Sequence, residues 1–399
     1  MNFSDENKTS ADLSLHMSTN QTGIREHNER LVLTTLRRKG PLPKAVIARE
    51  TGLSPQAASV IVRALEDDGL LIKGERKRGK VGQPSTPIGL APDGAYFIGL
   101  KVGRRSAELV LIDFVGNELS FLVEQYNFPT PERIMSFVKW GVDKVCKELP
   151  LQQIEKISGM GIATPYFLWE WASVIGLKAG EMDSWRNFDL RSELSDCFDF
   201  PVFLGNDGTS ACGAELTLGG MDTASDFLYI YIGYFIGGGV VLNGSLFTGK
   251  SGNAGALGPF PMQNPDGSFV QVVERASLIA LERRIADFRN NPDFAMTSEF
   301  EILTGEEVII DDWLDNSAMA IAHLIIGACS IIDFPMVVID GKMPPFLKAS
   351  VLKKINSALD SMPKSGLVNP EIIPGTLGEK ARAMGAASIP LAKKFMLDK

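Results

Sequence analysis

Residues 51–70 read TGLSPQAASVIVRALEDDGL, and this stretch decides the fold of the N-terminal part of the chain. Thr51–Leu53 predicts a tight turn with Gly at its centre. Ser54 and Pro55 predict the start of a helix, because Ser can accept hydrogen bonds from the unpaired first N–H groups and Pro suits the first helical position. The helix is expected to end at Asp67–Gly69. A turn is therefore followed by a helix with both ends marked.

This predicted helix has two faces. Small and aliphatic residues fall at core-facing spacings: Ala57, Val60, Ile61, Ala64 and Leu65. Hydrogen-bonding residues follow another side at i, i+3 and i+7: Gln56, Ser59 and Arg63. Such side chains can read base edges in the major groove of DNA. Taken alone, the second face is equally compatible with an ordinary solvent-exposed surface.

Two further helices are expected before this stretch, one over residues 26–39 and a short one over 43–50, separated by Gly40 and Pro41. After it, an apolar strand over 70–72 and a return strand through residues 88–90 predict a hairpin with a basic, glycine-rich tip. Arg and Lys in such a tip suit the minor groove of DNA, although the tip alone could be a solvated turn. The candidate DNA contacts are Ser54, Gln56, Ser59, Arg63, Arg76, Lys77, Arg78, Lys80 and Gln83.

The charge of the chain is divided unevenly. Residues 23–90 carry a net charge of +6, whereas the residues after them carry −12 and the whole chain −8. A basic head concentrates affinity for phosphate groups. We interpret residues 23–90 as a winged helix-turn-helix DNA-binding domain that follows a flexible tail over residues 1–22. A protein-docking module is the alternative.

Bulk features exclude several other classes. No apolar run approaches the roughly 20 residues of a membrane helix, and the polar start lacks the basic-then-apolar order of a signal peptide. We therefore expect a cytoplasmic protein without membrane contact. The four cysteines form no CxxC pair, so no disulfide framework or cysteine zinc site is predicted. We interpret them as small buried apolar residues: Cys146, Cys197, Cys212 and Cys329.

The body repeats one pattern, three strands and then a helix. The first set is expected at residues 96–102, 107–113 and 119–126, with a helix over 131–149 and a buried strand over 157–162. The second set is expected at residues 227–232, 237–242 and after Gly244. The pattern predicts an α/β body of two similar lobes with a cleft between them.

Several ordered motifs resemble one family. They are FIGLKVGRRSAELVLIDFVGNEL (97–119), GMGIATP (159–165), FLGNDGTSACGAE (203–215), IYIGYFIGGGVVLNGSLFTGKSGNAGALG (230–258) and LGEKARAMGAA (377–387). With the head before them, they resemble the ROK family of repressors, open reading frames and kinases. The resemblance implies a two-lobed actin-like ATPase or sugar-kinase fold. The first lobe would comprise residues 91–212 with 376–399, and the second residues 213–375, with the effector in the cleft.

Both phosphate loops of the family's kinases are altered. Their Asp-x-Gly-x-Thr loop reads Lys101–Arg105 here, and lysine does not hold Mg²⁺ as a carboxylate does. Their Gly-Thr-Gly loop reads Gly233–Phe235, with bulky rings. We predict no catalytic residues and no kinase activity. Gly237–Gly239 could bind phosphate, but a close approach of a strand to a turn is the favoured interpretation.

The resemblance also defines a sugar site that is only partly kept. The implied ligand-binding positions are Thr164, Asn206, Asp207, Ala256 and Glu274. Ala256 and Pro259 stand where the family has a glutamate and a histidine, and the family's cysteine loop is replaced, so no metal or cofactor is predicted. The alternative roles are helix capping for Asn206 and Asp207, and a surface charge for Glu274.

The resemblance predicts a transcriptional repressor of carbohydrate uptake or catabolism genes. Its partners would be a double-stranded DNA operator, a sugar or sugar-derivative effector, and further copies of itself in a homodimer or homotetramer. Two alternatives stay open. One is a sugar kinase with a DNA-binding appendage, with Asp207 as its base, and the other is a regulator that responds to a non-sugar ligand.

Overall fold

The structure is a computed structural model that describes residues 21–75, 86–166, 168–170, 177–178, 180–221, 226–292, 294–296 and 305–397. Within these ranges, no helix combines the length and apolar character needed to cross a membrane. The chain divides into two compact units. Unit 1 is Met1–Asp222 with Lys250–Gly252 and Arg382–Lys399, and unit 2 is Thr223–Gly249 with Asn253–Ala381. Unit 1 contains the predicted head and most of the predicted first lobe, and the lobe bounds at residues 212 and 375 stay predictions.

The head has the predicted order of three helices and a hairpin. Its elements are α1 (Gln21–Lys39), β1 (Leu42–Pro43), α2 (Lys44–Thr51), α3 (Pro55–Asp67), β2 (Leu71–Lys73) and β3 (Pro87–Leu90). The three strands form one sheet in the order β1-β3-β2. The first helix begins five residues earlier than expected but ends at Lys39 as predicted.

The ends of α3 follow the local sequence. Ser54 Oγ accepts from the N–H of Ala57 at 3.1 Å, and Pro55 occupies the first turn. Gly52 adopts a φ of 70° after α2, a left-handed conformation that favours glycine. The turn and the start of the helix are therefore confirmed, because capping depends on neighbours along the chain.

The buried face of α3 differs from the prediction. Its buried residues are Ala58, Ile61, Val62 and Leu65, whereas Val60 is 68% exposed. The sequence from Ala57 to Leu65 contains two overlapping apolar stripes, so spacing alone fits either one. Packing against α1 and α2 selects the stripe that begins at Ala58. The placement of Val60 in the core was wrong.

Unit 1 contains the first lobe, built on a five-stranded sheet in the order β6-β5-β4-β7-β8. Its elements are β4 (Tyr96–Val102), β5 (Ser106–Asp113), β6 (Glu118–Gln125), α4 (Pro131–Glu148), α5 (Leu151–Ile154), β7 (Ile157–Thr164), α6 (Leu190–Ser195), β8 (Val202–Asn206) and α7 (Asp207–Leu218). The first three strands are antiparallel, and β7 and β8 continue the sheet in parallel. This arrangement brings the carboxyl ends of β4, β7 and β8 to one edge.

Unit 2 repeats this topology in the order β11-β10-β9-β14-β15. Its elements are β9 (Phe227–Ile232), β10 (Ile236–Leu242), β11 (Ser245–Phe247), β12 (Pro261–Gln263), β13 (Phe269–Gln271), α8 (Val273–Ala276), α9 (Leu278–Phe288), α10 (Glu307–Cys329), β14 (Met336–Gly341), α11 (Pro345–Ser361) and β15 (Glu371–Pro374). The short β12 and β13 pair with each other in the region where the family's cysteine loop was expected. The predicted recurrence of three strands is confirmed.

The C-terminal helix α12 (Ala381–Phe395) packs directly on the first-lobe sheet. A Cβ atom on Gly99 would lie 2.3 Å from the carbonyl oxygen of Ala383, and one on Gly161 would lie 1.8 Å from that of Ala386. Both glycines therefore allow the helix backbone to touch the strands, which a side chain would prevent.

The far end of α12 lies against the head within unit 1. The backbone N–H of Leu397 donates to Thr34 Oγ1 of α1 at 3.0 Å. The ring of Phe395 stacks edge-on with Phe114 at 4.9 Å, and Arg37 of α1 donates to the Phe114 carbonyl. Burial lowers the pKa of Arg37 to about 10, with the charge of Asp113 opposing the shift. A desolvated guanidinium thus fixes the first head helix to the lobe.

The cysteines do not share one environment. Cys212 and Cys329 are buried as expected, and Cys146 is half-buried, but Cys197 is exposed. The expectation of four buried cysteines was wrong for Cys197, which lies just after the short helix α6.

Candidate functional site

The exposed side of α3 carries the hydrogen-bonding residues that the sequence placed there. Gln56, Ser59 and Arg63 are all exposed, and their spacing keeps them on one side of the helix. Ser54 is also exposed, but its hydroxyl oxygen caps the helix. Side chains of this kind at the start of an exposed helix can reach base edges. The local geometry therefore suits a helix that enters a major groove.

The hairpin after α3 has a described base and a tip that lies outside the described residues. The strands β2 and β3 pair in register from Leu71 with Leu90 to Lys73 with Ile88. Lys73 lies 3.7 Å from Glu66 of α3, which also contacts Lys44 of α2 at 3.4 Å. Five predicted DNA contacts belong to the tip and lie outside the described residues: Arg76, Lys77, Arg78, Lys80 and Gln83.

Three predicted ligand positions meet at the carboxyl edge of the first-lobe sheet. Thr164 ends β7 and is the direct register partner of Asn206, which ends β8. Asp207 follows as the first residue of α7. On the other side of β7, Lys101 of β4 is the register partner of Ala163. Parallel strands thus bring polar side chains from distant motifs to one place, as ligand sites of α/β sheets require.

Asn206 and Asp207 perform the helix-capping roles that the sequence left open. Asn206 Oδ1 accepts from the N–H groups of Gly208 at 3.0 Å and Thr209 at 3.2 Å. Asp207 Oδ1 accepts from Gly208 at 3.0 Å, and its Oδ2 accepts from Arg382 at 3.0 Å. The side-chain oxygens are therefore engaged, while the NH₂ group of Asn206 is a donor of the kind that sugar hydroxyls accept.

A buried ion pair occupies the loop between β4 and β5. Lys101 Nζ donates to Glu108 Oε1 at 2.8 Å and to Ser106 Oγ at 2.8 Å. The lysine side chain folds over Gly103, where a Cβ atom would lie 2.7 Å from Nζ. Burial raises the pKa of Glu108, but Lys101, Arg382 and the Ser106 hydroxyl together outweigh it and leave this pKa below its ordinary value. The ammonium group of Lys101 therefore lies where the family's kinases have the aspartate of their magnesium loop.

Aromatic rings occupy the corresponding loop between β9 and β10. Tyr234 and Phe235 stack with centroids 5.7 Å apart, and the Tyr234 hydroxyl donates to Glu282 of α9 at 3.2 Å. The first turn of α9 donates to this loop, from Leu278 to the carbonyl of Gly233 and from Ile279 to that of Tyr234. These N–H groups, which could bind a phosphate at a helix start, already have acceptors in the protein.

Two of the three glycines of β10, Gly238 and Gly239, lie in close packing, as the favoured interpretation holds, whereas a Cβ atom on Gly237 would meet no atom within 4 Å. A Cβ atom on Gly238 would lie 2.2 Å from the carbonyl oxygen of Tyr229 and 2.5 Å from Leu257 Cδ1. Gly255 has a φ of 80°, and a Cβ atom there would lie 2.6 Å from Gly239 Cα. Side chains at these positions would therefore separate the strand from the turn.

The two predicted ligand positions of unit 2 are both exposed. Glu274 belongs to the short helix α8, and its Oε1 accepts from the N–H of Gln271 at 2.9 Å. Ala256 lies in the turn after β11, where its N–H donates to the carbonyl of Asn253. Glu274 therefore has the surface position that its alternative interpretation describes, and it stabilises the local turn.

Two residues of the unit 1 site were not found by sequence reasoning. Arg382 stands in the C-terminal motif, 175 residues from the aspartate that it binds, and no local pattern connects them. Tyr166 follows the Thr164-Pro165 loop, and a Cβ atom on Gly252 would lie 2.1 Å from its hydroxyl. Burial raises the pKa of Tyr166. The only sequence signal for Tyr166 was that it directly follows the predicted Thr164-Pro165 loop.

Across the part of the chain that the structure describes, no group of three or more His, Cys, Asp or Glu side chains could hold a metal ion.

Comparison with known proteins defines the family. Residues 97–393 match the sequence model of the ROK family. The chain belongs to the ROK family. Residues 25–72 match the model described as winged helix-turn-helix DNA-binding. This ROK protein is 23% identical over 386 residues to the xylose repressor of Bacillus subtilis, a match that covers 92% of the chain and 96% of that repressor.

Solved structures support the same fold. A ROK family transcriptional regulator, described as a homologue of the Escherichia coli MLC protein, aligns with a TM-score of 0.67 and 17% identity over 93% of this chain and 97% of its own. A ROK glucokinase from Streptomyces griseus, solved with glucose and AMPPNP, aligns with a TM-score of 0.58 and 20% identity over 74% of this chain and 99% of its own. The chain therefore has a winged helix-turn-helix head and a ROK body of the actin-like sugar-kinase type.

Proposed function

We propose that this ROK protein is a DNA-binding repressor of carbohydrate uptake or catabolism genes, controlled by a sugar or sugar derivative, and that it does not phosphorylate its ligand. The observation that carries the proposal is the exposed face of α3, where Gln56, Ser59 and Arg63 lie together on a winged head. The name of the xylose repressor, which this chain matches over nearly its full length, supports both the repressor role and the sugar class.

We propose that residues of α3 recognise the bases, whereas residues of the hairpin tip bind the DNA backbone. Gln pairs well with adenine and Arg with guanine in the major groove, which suits Gln56 and Arg63 to base reading. The basic tip residues Arg76, Lys77, Arg78 and Lys80, with Gln83, would bind phosphates and the minor groove. The protein would act as a homodimer or homotetramer, since paired heads match paired half-sites about 34 Å apart.

The sugar is proposed to bind at the carboxyl edge of the first-lobe sheet. Asn206 offers an NH₂ donor there, and the Asp207 carboxylate and the Thr164 hydroxyl offer acceptors. Tyr166 adds a half-buried phenol beside Gly252. Ala256 and Glu274 are the proposed contributions of unit 2, of which only the glutamate carries a polar side chain.

Phosphoryl transfer is disfavoured by the chemistry of both loops. A kinase needs Mg²⁺ and backbone donors that stabilise the charge of the moving phosphoryl group. The ammonium of Lys101, 2.8 Å from Glu108, would repel Mg²⁺, and α9 donates its first N–H groups to Gly233 and Tyr234. Both oxygens of Asp207, the only proposed base, already accept hydrogen bonds.

The helix α12 provides a physical connection from the sugar site to the head. Its first turn contains Arg382, which binds Asp207, and its last residue, Phe395, packs on Phe114. Leu397, just beyond its end, donates to Thr34 of α1. A ligand that changes the Arg382–Asp207 ion pair would therefore act on an element that touches the head. We propose that this element transmits the ligand signal, because a ligand shifts an equilibrium only through contacts that differ between its two states.

A DNA selection followed by fluorescence anisotropy tests the proposal. The full chain is incubated with a random duplex library, and the enriched sequence is compared with a scrambled duplex at about 150 mM salt. We expect the enriched duplex to bind at least about 10³-fold more tightly. Equal affinity for both duplexes would contradict a sequence-reading head, and ATP turnover above about 1 s⁻¹ with any hexose would contradict the regulator without kinase activity.

A pair of variants distinguishes base recognition from binding to the DNA backbone. Arg63→Ala is expected to weaken binding to the enriched duplex more than to the scrambled one, whereas Lys77→Ala should weaken both similarly. Arg186→Ala is the matched control, because Arg186 is an exposed arginine of the first lobe that pairs with Asp183. Equal effects of the first two variants on both duplexes would contradict the assignment of Arg63 to base reading.

A further inference from the structure

The exposed face of α3 contains one residue that does not fit a hydrogen-bonding surface. Val60 is 68% exposed, although the other large aliphatic residues of the helix, Ile61, Val62 and Leu65, are buried. Leaving a valine in water forgoes the roughly 1.5–3 kcal/mol that its burial would contribute. The head core is complete without it, so stability gives no reason for an aliphatic side chain at this position.

The position of Val60 is central to the proposed reading face. Gln56, Ser59, Val60 and Arg63 follow the spacing i, i+3, i+4 and i+7, which places them in a single stripe along the helix. All four are exposed. The aliphatic side chain therefore lies among the residues that would meet the bases.

Only one base presents an apolar group in the major groove. Thymine carries a C5-methyl group there, whereas the other edges present hydrogen-bond donors and acceptors. A β-branched valine in a helix is held largely in one rotamer, so its methyl groups are already oriented before contact. Resting on the proposed function, which brings α3 into the groove, we propose that Val60 reads a thymine by packing against its C5-methyl group. Gln56 and Arg63 would flank it with polar contacts.

A protein partner is the competing occupant, and the surface argues against it. A stable interface buries about 800 Å² on each side and has a largely apolar centre. Val60 is a single aliphatic side chain between Gln56, Ser59 and Arg63, and no other large apolar residue of α3 is exposed. One isolated methyl contact suits a base edge much better than a protein surface.

Removing the methyl group from the DNA tests the proposal directly. Each thymine of the enriched duplex is replaced in turn by deoxyuridine, which pairs identically but lacks the C5-methyl group. We expect the full chain to lose about four-fold in affinity at one thymine of each half-site, the effect of one buried methyl-sized group. Val60→Ala should lose a similar factor on the unmodified duplex and should show no further loss with deoxyuridine at that position.

Two controls distinguish the loss of a DNA contact from a general effect of removing an exposed valine and from a loss of stability. Val308→Ala removes a valine of unit 2 that is even more exposed, at 80%, and should leave every duplex affinity and the deoxyuridine response unchanged. Circular dichroism should show that Val60→Ala melts at no lower temperature than wild type, since the side chain is 68% exposed and Ala favours a helix more than Val.

Four results would overturn the proposal. If no sequence is enriched, the proposed function itself fails. If a sequence is enriched but wild type tolerates deoxyuridine everywhere, or Val60→Ala keeps the deoxyuridine penalty, only the thymine contact fails. A Val60→Ala variant with an altered sedimentation coefficient and unchanged DNA affinity would assign the residue to a protein interface instead.

Discussion

The two lobes share one topology but have lost the features of a phosphate loop in opposite ways. In the first lobe, the loop after β4 is occupied by charge, with Lys101 bound to Glu108 at 2.8 Å. In the second lobe, the loop after β9 is occupied by the stacked rings of Tyr234 and Phe235. In the proposed regulator without kinase activity, internal side chains occupy both loops in place of a nucleotide, and each lobe remains packed around them.

This difference between the loops also predicts that substitutions in them will lower the free energy of unfolding by unequal amounts. A buried ion pair becomes a severe liability when one partner is removed, whereas a single neutral hydrogen bond contributes little net stability. Variants of the two loops should therefore differ most in the free energy of unfolding, and each of the following tests measures one part of that difference.

The largest effect is expected for Lys101→Ala. This change leaves the buried Glu108 carboxylate without its ammonium partner, and we expect a loss of about 3–5 kcal/mol in the free energy of unfolding. Denaturant titration followed by circular dichroism measures it. Lys147→Ala is the matched control, since Lys147 pairs with Asp143 on the exposed surface and should contribute less than about 0.5 kcal/mol. Similar losses for both variants would contradict a structural role for the buried pair.

A smaller loss is expected for Arg382→Ala. Asp207 would lose its cationic partner in a site where both side chains are mostly buried, and we expect about 1–3 kcal/mol. Arg382→Lys should recover part of this loss, because it restores the charge but not the planar geometry of the guanidinium. If Arg382→Lys were no better than Arg382→Ala, the contact would depend on shape rather than on charge.

The aromatic loop should tolerate change best. Tyr234→Phe keeps the stacked ring and removes only the hydroxyl that donates to Glu282, so we expect a loss of about 1 kcal/mol. Thermal melting of this variant beside Lys101→Ala compares the two loops under the same conditions. A larger loss for Tyr234→Phe than for Lys101→Ala would reverse the comparison.

The smallest expected effect is a change in acid stability. The folded-state pKa of Glu108 lies below its unfolded value of about 4.3, so the folded state binds this proton less readily than the unfolded chain. Its contribution is therefore fully present above the unfolded pKa and is lost as the pH falls through the folded pKa. The stability advantage of wild type over Glu108→Gln should be constant from pH 8 to about pH 5 and should shrink below about pH 4. An advantage that grew on acidification would contradict the ion pair.

Local features of the fold were predictable from the sequence, because their causes lie within a few residues. Ser54 and Pro55 mark the start of α3, and the end of α1 at Lys39 follows from Gly40 and Pro41. The replacement of the phosphate loops at Lys101 and Tyr234 was also readable. Each of these features depends on residue identity and spacing alone.

Features that depend on packing were not predictable. Two apolar stripes on α3 fit the periodicity equally well, and only contact with α1 and α2 exposes Val60. The Arg382–Asp207 pair joins residues 175 positions apart through the placement of α12. The pairing of Thr164 with Asn206 at one edge of the sheet required the register of β7 and β8. Contacts between residues far apart in the sequence therefore determine the candidate ligand site, whereas neighbouring residues determine the helix boundaries.

We propose that sugar binding and DNA binding are coupled through α12, and a sugar titration of the DNA complex measures this coupling. D-xylose, D-glucose and N-acetylglucosamine are added in turn to the complex of the full chain with its enriched, fluorescently labelled duplex, and anisotropy is followed. We expect a sugar to release wild type from the duplex, whereas the DNA affinity of Asp207→Asn should not respond to added sugar. Release of Asp207→Asn at the same sugar concentration as wild type would contradict the proposed route from Asp207 through α12 to the head.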